Sequence, residues 1–185
     1  MLIKEVLNMN KDLLRFRKVT KEDARSWFTL LNTVWRDAYS HIFPNEVFIE
    51  REKMIDEKIK QFDEDKLNNN ENIAYVAEYN GIIVGVMTGS INSSYDYFHL
   101  DYADLVVLYI DPKFQGLGIG TTFKEIFEKW AKENGAKRYV IGVLKENKKA
   151  REVYESWGGK LSNHEQGFKK LGVSYPEVFY TFGLD

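Results

Sequence analysis

Gln115-Gly116-Leu117-Gly118-Ile119-Gly120 is the stretch on which the reading of this chain turns. Upstream, residues 105–110 form an apolar run of strand length that ends at Asp111-Pro112, a turn pair. Downstream, Phe123, Ile126, Phe127, Trp130 and Ala131 recur at the spacing of one helix face. The order is strand, glycine-rich turn, helix start. Glycine lets the backbone approach a ligand, and the first N–H groups of a helix have no internal partner. With the positive end of the helix dipole behind them, they suit a phosphate or pyrophosphate. A glycine-rich surface turn is the plainer reading, and the loop alone divides evenly between the two.

Two phosphate loops fail on spacing. A dinucleotide fingerprint counted from Gly116 puts its third glycine on Thr121. A Walker loop requires lysine after its last glycine, but Thr121 follows Gly120. What remains is Gln115-x-x-Gly118-x-Gly120.

Composition narrows the field. The chain has 185 residues, enough for one domain with a substantial core. Its net charge of −2 and lack of a basic run give no footprint for nucleic acid. No apolar stretch approaches a membrane span, and the N-terminus is too short and charged for a signal peptide. Cysteine is absent, which removes thiol nucleophiles, thiolate metal sites and disulfides, and fits a cytoplasmic location. His41, His99 and His164 are far apart and form no ligand-spaced pair, so no metal is expected.

Along the chain, residues 1–12 read as an N-terminal leader and 13–185 as one domain, with Met9 an alternative start. A strand over 14–19 precedes Thr20-Lys21-Glu22-Asp23, a capping-box pattern. Ala24, Trp27, Leu31, Val34, Trp35 and Ala38 then predict a helix. A second helix is expected over 45–64, and a polar connector over 63–72. Strands over 73–79 and 82–92 meet at Asn80-Gly81, a hairpin signal. An aromatic connector over 93–101 leads to a strand over 104–110, the loop, and a helix to 134. A strand over 138–143, a helix over 148–157 and two closing strands, 160–168 and 178–184, complete the chain. This mixture predicts an α/β domain with a mixed sheet.

Two segments carry a resemblance. Leu108-Tyr109-Ile110-Asp111-Pro112 with Gln115-x-x-Gly118-x-Gly120 resembles the signature loop of the GCN5-related N-acetyltransferases (GNAT). Asn147-Lys148-Lys149-Ala150-Arg151-Glu152-Val153-Tyr154 through Gly158 resembles that family's second motif. Val153 and Gly159 depart from it, standing where phenylalanine and an aromatic residue are common. The likeness covers essentially all of the chain after residue 12.

The resemblance implies a single-domain, mostly antiparallel sheet with helices on both faces and splayed central strands. It implies acetyl-CoA as cosubstrate and a primary amine as acceptor. Gly116, Leu117, Gly118, Ile119, Gly120 and Thr121 would hold the pyrophosphate, with Gln115 shaping the loop. Leu108, Tyr109 and Ile110 would pair with the pantetheine, with Asn147 and Ala150 beside it. Tyr154 is the candidate general acid, although Ala150, Val153, Tyr154 and Trp157 at helical spacing also suit plain core packing. Asp104 is the candidate base, through water, or an ordinary strand end. Trp35 and Tyr39 are candidate acceptor contacts, or packing residues. The connector 93–101 reads as a further acceptor wall or a dimer contact, and its aromatic and acidic residues hint at a cationic acceptor. Family members are often dimers. A non-catalytic acyl-CoA sensor and a nucleotide-phosphate binder are the competing readings.

Overall fold

The computed structural model describes residues 10–99 and 101–184, so most of the expected leader lies outside the described residues. Seven strands form one sheet in the order β1-β2-β3-β4-β5-β7-β6. They are β1 (Leu14–Lys18), β2 (Asn72–Tyr79), β3 (Ile82–Ser90), β4 (Ala103–Ile110), β5 (Arg138–Leu144), β6 (Lys160–Lys170) and β7 (Val173–Gly183). Only β4 and β5 run parallel; every other pairing is antiparallel.

Helices cover both faces. On one lies α1 (Ala24–Tyr39), whose Trp27, Leu30 and Val34 pack on Val76 and Val86. Its start bears out the capping box: Thr20 and Asp23 bond reciprocally, and Arg17 fixes the Asp23 carboxylate through two hydrogen bonds of 2.6 and 2.8 Å. On the other lie α5 (Ile119–Glu133) and α6 (Lys148–Ser156). Phe123 and Phe127 of α5 are fully buried there, each worth about 1.5–3 kcal/mol of apolar burial.

Three expectations change. The segment 45–64 is not one helix but α2 (Asn45–Lys53) and α3 (Ile55–Lys60), broken at Met54. Ile49 and Met54 are exposed, so no continuous apolar stripe holds it straight. The connector 63–72 contains a further short helix, α4 (Glu64–Leu67), because the Asp63 side chain caps the N–H groups of Asp65 and Lys66. Its asparagines bond the backbone: Asn69 accepts from Glu71 and Asn72, and Asn68 from Ala74. The closing strands are longer than expected and meet at Leu171-Gly172, both with positive φ. Leucine is a poor signal for that conformation, which is why the turn is hard to read from sequence.

The central strands separate. β4 and β5 pair only at Ala103–Tyr139 and Asp104–Val140. Beyond that point β4 stays bonded to β3 as far as Ile110, and β5 stays bonded to β7 as far as Leu144. Two free strand edges therefore face each other across a gap. A bulge starts the divergence: Thr88 lies opposite Val107 and Ser90 opposite Asp104, which leaves one extra residue on β4. Val106 is left 54% exposed at the opening.

Candidate active site

The glycine loop ends at the start of α5, on the side of the gap where β4 finishes. Gly118 is the helix N-cap at φ 87°, and Gly116 has φ 83°. Both lie in the left-handed region, which glycine adopts without steric cost. Among the described residues, no hydrogen bond joins the backbone N–H of Gly116, Leu117, Gly118, Ile119, Gly120 or Thr121 to another backbone group; the helix ladder begins with Thr122 bonding to Gly118. A Cβ on Gly120 would lie 3.3 Å from Ile110 and 3.4 Å from Trp157, so the helix packs closely against the strand end. The Gln115 side-chain amide donates to the Ile110 carbonyl at 3.3 Å and accepts from Lys149 Nζ at 2.6 Å. Lys149 brings a cation to the loop. Its contact joins positions 34 apart in sequence, and only the seating of α6 beside the loop reveals it.

Asn147 caps α6, its side chain accepting from the Ala150 N–H at 3.2 Å. That cap sets the phase of the helix. Ala150, Tyr154 and Trp157 turn inward, whereas Val153 is exposed, so the expected single face lacks Val153. The departure at Gly159 has a steric cause. A Cβ there would stand 2.6 Å from Phe182 and 2.8 Å from the Tyr154 carbonyl, so Phe182 occupies the space of a side chain.

Tyr154 is 8% exposed, and its hydroxyl makes no hydrogen bond among the described residues. Its ring packs on Trp157 and Tyr180, on the α5 and α6 face. Burial, and secondly Tyr39, push its pKa well up, so the phenol stays protonated. Tyr39 belongs to the opposite face. The charge of Tyr154 would be felt there by Tyr95 and Tyr109 as well.

On the α1 face, Tyr39 shares a 3.3 Å hydrogen bond with Tyr109 and accepts from Asn147 at 3.5 Å. Thus the helix expected to wall the acceptor touches both cofactor motifs. Trp35 is set back. It stacks on Phe43 with centroids 5.7 Å apart, and the Arg51 guanidinium lies 3.8 Å over its ring. Tyr39 combines packing with a position beside the gap.

Asp104 sits at the neck, on the last residue pair before the strands part. It is 1% exposed. Oδ2 accepts from the Ser93 hydroxyl at 3.2 Å, and enclosed Oδ1 has no partner among the described residues. Burial pushes its pKa up to about 7, against the pull of Ser93 and the Ser94 backbone. The connector 93–99 reaches this floor: Ser93 binds Asp104, and Tyr95 and Phe98 pack against Phe179.

The sequence matches the Acetyltransferase (GNAT) family over residues 27–159. The chain belongs to this family. No curated protein matches the sequence. Among solved structures, this GNAT chain resembles the PaiA N-acetyltransferase of Thermoplasma acidophilum, in complex with coenzyme A. Identity is 20%, the TM-score is 0.61, and 89% of this chain and 97% of that chain are covered. It also resembles yncA of Salmonella typhimurium, with acetyl-CoA, at 19% identity and TM-score 0.65, covering 94% and 95%. The ribosomal-protein-alanine N-acetyltransferase of Brucella melitensis matches at 17% identity and TM-score 0.62, covering 91% and 99%.

Proposed function

We propose that this GNAT protein transfers the acetyl group of acetyl-CoA to a primary amine of a small molecule, polyamine-like or amino-acid-like, or of a peptide. The amine attacks directly in a ternary complex. One observation carries the reading: β4 and β5 part beyond the Asp104–Val140 pair, and just past the end of β4 the N–H groups at Gly116–Thr121 have no backbone partner among the described residues. The family match and the fold shared with proteins described as bound to coenzyme A or acetyl-CoA support it.

Acetyl-CoA supplies an acetyl thioester. The loop N–H groups and Lys149 suit its phosphates, each charge-assisted bond contributing about 1.5–3 kcal/mol. The free edge at Leu108, Tyr109 and Ile110 suits the pantetheine amides. The amine nitrogen must shed a proton before it attacks. An amine of pKa ~10.4 costs roughly 4 kcal/mol to deprotonate near pH 7.4. Asp104, with a pKa near the working pH, takes that proton through water. The N–C bond forms and the C–S bond breaks; Tyr154 gives its proton to the departing thiolate, and the second proton that the nitrogen sheds on becoming an amide restores the phenol.

The test is free-thiol release from acetyl-CoA with a panel of polyamines, amino acids, aminoglycosides and short peptides. Amine-dependent release is expected. Acetyl-CoA binding without release from any amine would overturn transfer and favour an acyl-CoA sensor.

A further inference from the structure

Two buried carboxylates on the acceptor face lack a protein counter-ion. Asp104 bonds only neutral donors, and its Oδ1 is enclosed and unpartnered among the described residues. Glu177 of β7 is 7% exposed. Its Oε1 accepts from the Tyr95 hydroxyl at 3.5 Å, and its Oε2 from the Gln166 amide at 2.8 Å. No ion pair among the described residues includes either acid. Burying a carboxylate without a cation is costly, so such a pair suits a cationic ligand.

Gly142 explains why these groups converge. On this face β5 presents Val140, Gly142 and Leu144 in turn. Val140 packs with Phe98 and Phe179, and Leu144 with Tyr39 and Phe43. Between these apolar clusters Gly142 leaves a space. A Cβ there would collide with the Tyr95 hydroxyl and stand 3.0 Å from Glu177 Oε1. The result is a polar seam between aromatic walls, beside the gap. Asp104 borders it closely enough for the Glu177 charge to raise its pKa.

We propose that Glu177, held by Tyr95 and Gln166, determines specificity by binding a second, protonated nitrogen of the acceptor, so that small linear diamines or polyamines are preferred. The inference rests on the transferase reading and deepens it. The reacting nitrogen gives up its proton and cannot neutralise both acids. Asp104 serves that nitrogen, and Glu177 remains for another. A carboxylate has about four lone-pair sites, and two donors leave room for an ammonium N–H. At the other end of the face, Arg51 lies over Trp35 and repels a cation, directing the ammonium toward Glu177.

The experiment compares 1,4-diaminobutane with n-butylamine in thiol release, for the full chain and for Glu177→Gln. The full chain should prefer the diamine in kcat/KM by about 10- to 100-fold, as one charge-assisted bond implies. Glu177→Gln should collapse that preference, mainly by raising KM for the diamine. Tyr95→Phe, which keeps the ring against Phe179, should reduce it less. Turnover of both amines without a diamine preference, or a preference unchanged in Glu177→Gln, overturns the inference and leaves the transferase reading standing. If neither amine is turned over, calorimetric titration of 1,4-diaminobutane into the protein with coenzyme A decides. Binding weakened by Glu177→Gln supports the site, and no binding overturns it.

Discussion

The hydroxyls of Tyr39 and Tyr109 lie 3.3 Å apart, joining the end of α1 to the free edge of β4 across 70 positions of sequence. Asn147, the cap of α6, adds a third member to the contact. Helix α1 is thereby tied to the strand and the helix that flank the gap between β4 and β5.

Tyr39→Phe keeps the ring contacts with Trp35 and Phe43 and removes both hydrogen bonds. A loss of about 1 kcal/mol is expected, or a Tm lower by roughly 2–4 °C. Calorimetric melting measures it. An unchanged Tm would show that the hydroxyl cluster contributes nothing to stability.

Tyr154→Phe should lower kcat by about 10²-fold, the scale of a lost general acid. Acetyl-CoA affinity should stay close to that of the unaltered chain, because the loop N–H groups are untouched. Single-turnover kinetics and equilibrium binding separate the two effects. An unchanged kcat removes Tyr154 from the acid role.

Asp104→Asn should trade activity for stability. Burial raises the Asp104 pKa from 3.8 to about 7, so the fold favours the protonated carboxyl. Its contribution is full below the unfolded value and is lost as pH rises through about 7. That shift sets a ceiling of roughly 4 kcal/mol, and relaxation should leave about 1–2 kcal/mol. The Asn variant should therefore melt roughly 3–6 °C higher than the unaltered chain at pH 8.5, with the difference shrinking below pH 7 and vanishing only below about pH 4. The kcat/KM of the unaltered chain should fall as pH drops below about 7, where Asp104 takes up its proton. A stability difference that grows toward low pH would contradict the assignment.

Lys149→Ala should weaken acetyl-CoA binding several-fold, at low salt more than at high salt. Gly118→Ala should weaken it further, because a side chain at φ 87° costs about 1–2 kcal/mol and tilts the N-cap. Calorimetric titration at two ionic strengths checks both. Equal affinities in all three proteins would move the phosphates away from this loop.

Much of the architecture was legible from local signals. Asn80-Gly81 marked its hairpin, Thr20–Asp23 its cap, and the Phe123–Ala131 stripe its helix. Each depends on residues a few positions apart, whose backbone preferences and periodicity act before any long-range contact. The two family motifs pointed to the loop and to Tyr154 as candidates in the same way, and Asp104 became a candidate by its place on the strand before them. The segment 45–64 misled because its apolar residues suggested one stripe, while Ile49 and Met54 face solvent.

By itself, then, the sequence determined the elements, the family and the glycine loop, because turn chemistry, periodicity and motif spacing are local properties. Only the tertiary structure decided where the strands part, that Lys149 meets Gln115, and that Gly142 lets Tyr95 approach Glu177. It also decided the state of Asp104, since a carboxylate's pKa depends on what surrounds it in space. Those contacts join residues between 11 and 82 positions apart, and no periodicity in the chain encodes them.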